Sequence, residues 1–287
     1  SSNVVVGDDM PETPLFYRIN IDKEIGATTW RYMQKGYDEA RKAGATAIIL
    51  RLNTYGGTVV HADSIRTLIL NSSMPVYAFI DNNAASAGAL IAISCDSIYM
   101  REGANIGAAT VVNQTGKAMP DKYQSYMRAT IRSTAEAQGY DTVYTVSGDT
   151  EVHWRRNPQI AEAMVDERIV VPGLCDSTKV LTLTAREALQ WGYCEAIAES
   201  VDDIITSRLG YWQYKVEQFE PSFYDDLVGF LQNPVVQGIL IMLIIGGIYF
   251  EIQTPGVGFP LAVSVIAAIL YFAPLYLSGL AASWEIL

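Results

Sequence analysis

The sequence predicts an α/β fold: a parallel β-sheet with flanking helices, followed by a C-terminal transmembrane helical region. Three observations carry this. Short apolar runs such as "ATAIILRLN" (45–53) and "PVYAFI" (75–80) alternate with helical patterns, the rhythm of parallel strands joined by right-handed crossovers. These runs are almost continuously apolar, as strands covered on both faces are. Beyond residue 219 there is no Lys or Arg, and two long uncharged runs follow each other.

The elements follow in order. "LFYRINI" (15–21) reads as the first strand. "TTWRYMQKGYDEARKAG" sets Trp30, Met33, Tyr37 and Ala40 at helical spacing and stops at Gly44. After the strand 45–53, "HADSIRTLIL" reads as a helix, "PVYAFI" as a buried strand and "DSIYM" (96–100) as another. "DKYQSYMRATIRSTAEAQG" (121–139) is a helix with Tyr123, Tyr126, Met127, Thr130 and Thr134 on one face. "YDTVYTVSGDTEVHW" (140–154) alternates polar and apolar on both sides of Ser147-Gly148-Asp149, which predicts a projecting β-hairpin. "TAREALQWG" (184–192) opens with a capping box, Thr184 and Glu187, and ends on Gly192.

From Ser222 the character changes. "FYDDLVGFLQN" reads as an interfacial helix. "PVVQGILIMLIIGGIYF" (234–250) is 17 residues without a charge, and residues 260–283 are again uncharged, with Pro274 inside. Two domains are expected, 1–219 and a membrane region 220–287. With no basic residue nearby, the positive-inside rule has nothing to count.

Composition removes several function classes. At 287 residues and 50 % hydrophobic the chain buries a sizeable core. Residues 1–219 hold all 20 basic and 26 of the 31 acidic residues, a net of −6, which repels nucleic acid. Cys95, Cys175 and Cys194 lack metal-ligand spacing and cannot all pair; Cys95 and Cys194 sit in apolar surroundings, as small buried hydrophobes do. No metal and no cofactor is expected. The chain opens on SSN without a methionine, which fits a processed, signal-type start.

Acyl transfer needs a nucleophile, a base, and donors aimed at the developing oxyanion. Ser86, in "DNNAASAGAL" (81–90), falls where a strand gives way to a helix, so helix N-terminal N–H groups flank its hydroxyl. Its small neighbours admit a substrate backbone. The plain alternative is a serine that only caps the helix. "LNTYGGTV" (52–59) places Gly56 and Gly57 at the carboxyl end of a buried strand, where α/β sheets build their sites. His61 and His153 carry no motif around them. A serine hydrolase without a suitable histidine can use lysine, and Lys117 and Lys122 are both candidates.

The Gly-Gly turn, the next strand, "AASAG" and "GANIGAATVV" together resemble the ClpP/crotonase fold. More narrowly they resemble the NfeD family, membrane-bound ClpP-class serine proteases often encoded beside stomatin-like proteins. The likeness runs over most of residues 14–283 and includes "IYFEIQTPGVGFP" in the membrane region. It implies a Ser–Lys dyad of Ser86 and Lys122, leaving Lys117 outside the pattern. It implies an oxyanion hole from the N–H groups of Gly57 and Ala87, with Tyr55, Gly56, Thr110 and Val111 along the substrate. Two departures stand out: Tyr55 where the family commonly has proline, and the inserted segment 140–154. The ClpP Ser-His-Asp arrangement is not expected, since "ATVVNQTG" holds no histidine.

The expected function is thus a membrane-anchored serine endopeptidase that cleaves apolar segments of membrane-associated proteins, such as a stomatin-like (SPFH) partner. Membrane lipid, peptide substrate and further copies of the chain are the other expected partners, with a homo-oligomer of at least two. A signal-type start puts the protease domain on the periplasmic side. Two alternatives remain: a non-catalytic scaffold for a stomatin-like assembly, and a crotonase-like acyl-CoA enzyme. The second would want paired acids near the glycine turns, and the sequence has none there.

Overall fold

The computed structural model describes residues 12–284; the SSN start lies outside them. Within these residues the chain divides into two compact units, the first closing at Phe219 and the second opening at Glu220.

The first unit opens with β1 (Leu15–Ile21), α1 (Ala27–Lys42), β2 (Ala47–Thr54), α2 (Val59–Leu70), β3 (Val76–Ala85), α3 (Ala87–Ser94) and β4 (Ser97–Met100). There follow β5 (Asn105–Gly107), α4 (Asp121–Glu136), β6 (Tyr140–Tyr144), β7 (Thr150–Trp154), α5 (Pro158–Ala163) and β8 (Thr182–Thr184). The unit ends with α6 (Ala185–Gln190), β9 (Ala196–Ile197), α7 (Val201–Asp203), a π-helical turn Ile204–Arg208, and β10 (Lys215–Gln218). The strand order is β10-β1-β2-β3-β4-β9, every neighbouring pair parallel, with β5 joined to the end of β3 and β8 antiparallel on β5. The expected parallel-sheet α/β fold is therefore present.

β2 shows why its sequence is apolar throughout. Ile48, Leu50 and Leu52 enter the larger core with Met33, Ile65, Leu90 and Ile131 from α1 to α4. Ala47 and Ile49 point the other way, to a smaller core with Phe16, Phe79, Ile204 and Ile205. Alternate side chains of one strand thus feed two cores, so both faces are apolar.

Three sequence expectations shift. β3 does not stop at Ile80 but runs through "DNNAA" to Ala85, because its last three residues pair with β5. The inward stripe of α1 is Thr29, Met33, Gly36 and Ala40, with Trp30 and Tyr37 half-buried beside it. The inward face of α4 is Met127, Ile131, Thr134 and Ala135, whereas Tyr123 and Tyr126 are exposed. The capping box on α6 forms as expected, the Glu187 N–H on Thr184 Oγ1 and the Thr184 N–H on Glu187 Oε1.

Residues 140–154 make the antiparallel hairpin β6–β7, exposed along both strands. Register puts Tyr140, Thr142 and Tyr144 on one face with Trp154, Val152 and Thr150, and Tyr140 stacks on Trp154 with centroids 3.9 Å apart.

The second unit contains α8 (Phe223–Leu231), α9 (Pro234–Gln253) and α10 (Phe259–Trp284). α8 starts at a capping box, Ser222 with Asp225, and leaves Phe223, Leu227 and Phe230 exposed at i, i+4 and i+7. α9 and residues 259–277 of α10 have mean hydropathies of 2.1 and 2.0 and are long enough to cross a bilayer. They pack as a close pair: a Cβ on Gly247 would collide with the Pro260 carbonyl oxygen, and Ser264 Oγ donates to the Ile244 carbonyl at 2.9 Å. Small residues at the contact are how apolar helices approach inside lipid.

Candidate active site

β3 delivers Ser86 directly from its last residue, and α3 begins at the next one. The Ser86 backbone is left-handed, φ 56°, a conformation that costs a non-glycine residue about 1–3 kcal/mol. Two contacts hold it there. The Ser86 N–H donates to the Gly107 carbonyl of β5 at 2.9 Å, and α3 behind it is buried along its whole length. The far end of α3 is fixed by Arg156, a buried guanidinium whose Nη1 donates to the carbonyls of Ile93 and Cys95. A sharp turn between strand and helix, tied at both ends, lifts the hydroxyl out of the sheet.

Opposite Ser86 lies the Gly-Gly turn that follows β2. A Cβ on Gly56 would come within 2.6 Å of Ser86 Cβ and 3.0 Å of Ser86 Oγ, so only glycine fits, and its φ of 118° excludes other residues as well. The Gly56 N–H is taken up by Thr54 Oγ1 at 3.2 Å. Gly57 runs alongside Ile25, through the Ile25 N–H to the Gly56 carbonyl and the Thr58 N–H to the Ile25 carbonyl. That pairing uses the residues on either side of Gly57 and leaves its own N–H without a hydrogen-bond partner among the described residues. The Ala87 N–H, in the first turn of α3, is likewise unpaired among them.

Ser86, Gly57 and Ala87 line one cavity of about 50 Å³ with Thr110, Val111, Val112, Ala109, Met127, Leu90, Ala62 and Val59. Of the residues expected along a substrate, Thr110 and Val111 are in this lining. Tyr55 is not part of it and points to solvent, 81 % exposed. Val112, Ala109 and Met127 carry no local sign of a place in the site. Their approach to Ser86 depends on β5 and α4 folding back over α3, which no local pattern announces.

The lining contains no acid or base. Lys122 sits in the first turn of α4, exposed, with Nζ 5.0 Å from the centre of the Tyr123 ring, and does not line the cavity. Lys117 lies at the end of the 113–117 turn, also exposed, its N–H on Asn113 Oδ1. His61 is on α2, its Nδ1 2.6 Å from Thr58 Oγ1, and His153 is on the exposed hairpin 3.1 Å from Glu151. The structure thus brings together the expected nucleophile and both expected oxyanion donors, and leaves the expected base outside. Burial pushes the Cys95 thiol up to about 12 and the Cys194 thiol up to about 11, which keeps both unreactive.

A second cavity of about 290 Å³ shares Thr110 and is lined further by Ala118, Met119, Asp121, Gln124, Val165, Asp166, Glu167, Arg168 and Val180. Asp166, nearly buried there, accepts from Arg168 and from Arg128 at 2.5 Å, and Thr110 Oγ1 donates to the Val165 carbonyl beside it. The hydrogen bonds from Arg168, with the charge of Arg128, hold the Asp166 carboxyl at about 2. Its folded pKa lies below the unfolded value of ~3.9, so its stabilising contribution is complete above that value and disappears as pH falls toward 2. The melting temperature of Asp166→Asn should therefore be lower than wild type at pH 7 and converge with it between about pH 4 and 2. A constant difference across that range would show that Asp166 is not the group titrating.

Comparison with known proteins adds likenesses of three kinds. Residues 15–155 match the NfeD1b N-terminal domain and residues 235–287 the NfeD integral membrane domain. The chain is 32 % identical over 271 residues to the membrane protein NfeD1b of Bacillus subtilis, covering 94 % of this chain and 58 % of that one. It is 28 % identical over 279 residues to the membrane-bound protease PH1510 of Pyrococcus horikoshii, covering 89 % of this chain and 57 % of that one. It thus spans a little over half the length of these two relatives. Among solved structures, a lysine-to-alanine form of the 1510-N membrane-bound stomatin-specific protease, in complex with a substrate peptide, superposes with a TM-score of 0.59 at 27 % identity. The match covers 77 % of this chain and 98 % of that one.

Proposed function

The chain is built from NfeD-family domains, and from that premise we propose a membrane-anchored serine endopeptidase using a Ser86–Lys122 dyad. The observation that carries this reading is the strained Ser86 lining one cavity with Gly57 and Ala87, whose N–H groups have no partner among the described residues. A backbone held at φ 56° persists only where the surrounding structure enforces it, and such strain gathers at functional sites.

In this reading Ser86 Oγ attacks the scissile carbonyl while its proton passes to the neutral Lys122 amine. The tetrahedral oxyanion accepts from the N–H groups of Gly57 and Ala87. As the C–N bond breaks, the leaving amine takes the proton from the Lys122 ammonium. Water, deprotonated by the same amine, then releases the acyl group from Ser86. The substrate strand runs between the Tyr55-Gly56 rim and Thr110-Val111.

The substrate class is an apolar segment of a membrane-associated protein, such as a stomatin-like partner. It is supported by the likeness to a membrane-bound stomatin-specific protease. Residues up to 219 form the protease domain on the periplasmic side, working as an oligomer of at least two copies. In the membrane region α8 lies in the bilayer interface, because two residues separate its end at Leu231 from α9 at Pro234, while Phe223, Leu227 and Phe230 form an apolar stripe. One observation favours a second reading, a non-catalytic scaffold for the same partner: Lys122 stands outside the cavity.

A fluorophosphonate separates the two. Treated in detergent and digested, the full chain should carry the adduct on the peptide containing Ser86. An adduct on another serine, or none, rejects the dyad and leaves the scaffold.

A further inference from the structure

Gln124, two residues after Lys122 on α4, reaches the wall of the Ser86 cavity. Its carboxamide closes on the backbone of Val111, which lines the Ser86 cavity. The Val111 N–H donates to Gln124 Oε1 at 2.9 Å, and Gln124 Nε2 donates to the Val111 carbonyl at 2.7 Å and to the Met119 carbonyl at 3.1 Å. A donor and an acceptor side by side are what the peptide backbone of a neighbouring strand would offer Val111. Residues of an α-helix turn by about 100° each, so Lys122 and Gln124 lie about 200° apart on α4. With Gln124 on Val111, Lys122 leaves α4 on another side: its Nζ lies 5.0 Å from the centre of the Tyr123 ring, and it does not line the cavity.

We propose that Gln124 occupies Val111 as a stand-in for a substrate peptide group, and that a peptide entering the cavity replaces it and lets Lys122 turn toward Ser86. Gln124 on Val111 and Lys122 on Ser86 are mutually exclusive while the helix is intact. Gln124 is thus a positioning residue that sets the resting state, and the inference rests on the Ser86–Lys122 reading above. The exchange is close to neutral, because one amide replaces another and the Val111 carbonyl keeps the Met119 N–H at 2.9 Å throughout. In the first turn of α4 the N-cap, Pro120, makes no side-chain capping bond and Lys122 and Tyr123 are exposed, while Asp121 is held by Arg168 at 2.8 Å and by Arg128 at 3.4 Å, so the turn pivots about Asp121.

The test is the rate at which a small fluorophosphonate, carrying no peptide, modifies Ser86 in the reconstituted full chain. Gln124→Met keeps the side-chain length and helix propensity and removes every hydrogen bond of the carboxamide. Gln124→Glu keeps the acceptor for the Val111 N–H and turns a carboxylate toward two carbonyls. Both should be modified about tenfold faster than wild type, a difference of about 1.4 kcal/mol. Adding Lys122→Ala to Gln124→Met should abolish the gain, which a purely structural role for Gln124 would not produce. Modification of Ser86 at the wild-type rate or slower in both variants, with unchanged melting temperature, overturns the role of Gln124 alone. If Gln124→Met fails to fold, Gln124→Glu decides. Failure to modify Ser86 in any variant removes the nucleophile assignment, and this inference with it.

Discussion

Ser86→Ala should reduce cleavage of an apolar peptide by the full chain by about 10⁴-fold or more while leaving the fold intact. The loss is large because no other hydroxyl can take over. Thr110, the other hydroxyl in the lining, is committed through Oγ1 to the Val165 carbonyl. Stability should hardly change, because alanine tolerates φ 56° no better than serine does. Ser86→Gly makes the contrast sharper. It should be equally inactive yet more stable by about 1 kcal/mol, since glycine reaches this conformation without strain. Activity and melting temperature would then move in opposite directions at one position, as expected where stability has been given up for function. Turnover by purified Ser86→Ala comparable to wild type would remove Ser86 from the chemistry. A melting temperature for Ser86→Gly well below wild type would show that the serine side chain stabilises the turn.

Much of this architecture is legible in the sequence, because the signals involved are local. β2 is continuously apolar because it feeds two cores, and the capping box of α6 is written in Thr184 and Glu187. The hairpin β6–β7 follows from alternation around a glycine turn. The rest depends on contacts distant in sequence. "DNNAA" is polar enough to suggest a turn, and it stays extended because β5, some twenty residues later, pairs with it. Tyr123 and Tyr126 suggest a buried face by their aromatic character, but the phase of α4 is set by Met127, Ile131 and Ala135 against the core.

The site divides in the same way. Ser86 and the Gly-Gly pair stand out in the sequence by the small residues at strand ends. The positive φ of Ser86, the Gly57 N–H left unpaired among the described residues and the Gln124–Val111 contact depend on tertiary pairing, and a glutamine thirteen positions from its partner, across an intervening turn, carries no local mark. Lys122 rests on the family resemblance alone, and the geometry favours neither lysine, since neither lines the Ser86 cavity.

Lys122→Arg should therefore be as inactive as Lys122→Ala, each losing about 10²–10⁴-fold in kcat on the same peptide. The equivalence is the informative part. A surface ion pair or a lysine lying over Tyr123, 5.0 Å away here, would be served by arginine nearly as well, since guanidinium also stacks on aromatic rings. A general base would not, because guanidinium does not give up its proton in a protein. Neither change should shift the melting temperature by more than a degree or two, as the side chain is exposed at the start of α4. Lys117→Ala should keep most activity: the 113–117 turn is held by the Asn113 N–H on the Lys117 carbonyl at 2.8 Å and by Asn113 Oδ1 accepting from the Lys117 N–H at 3.0 Å, backbone groups of Lys117 that alanine preserves. If Lys117→Ala is inactive and Lys122→Ala active, the base is Lys117 and the turn of α4 has no catalytic part. If Lys122→Arg works while Lys122→Ala does not, a positive charge is needed there rather than a proton acceptor. If both lysine-to-alanine variants turn over at the wild-type rate, neither lysine is the base, and Ser86 takes its proton acceptor from outside the residues assigned here.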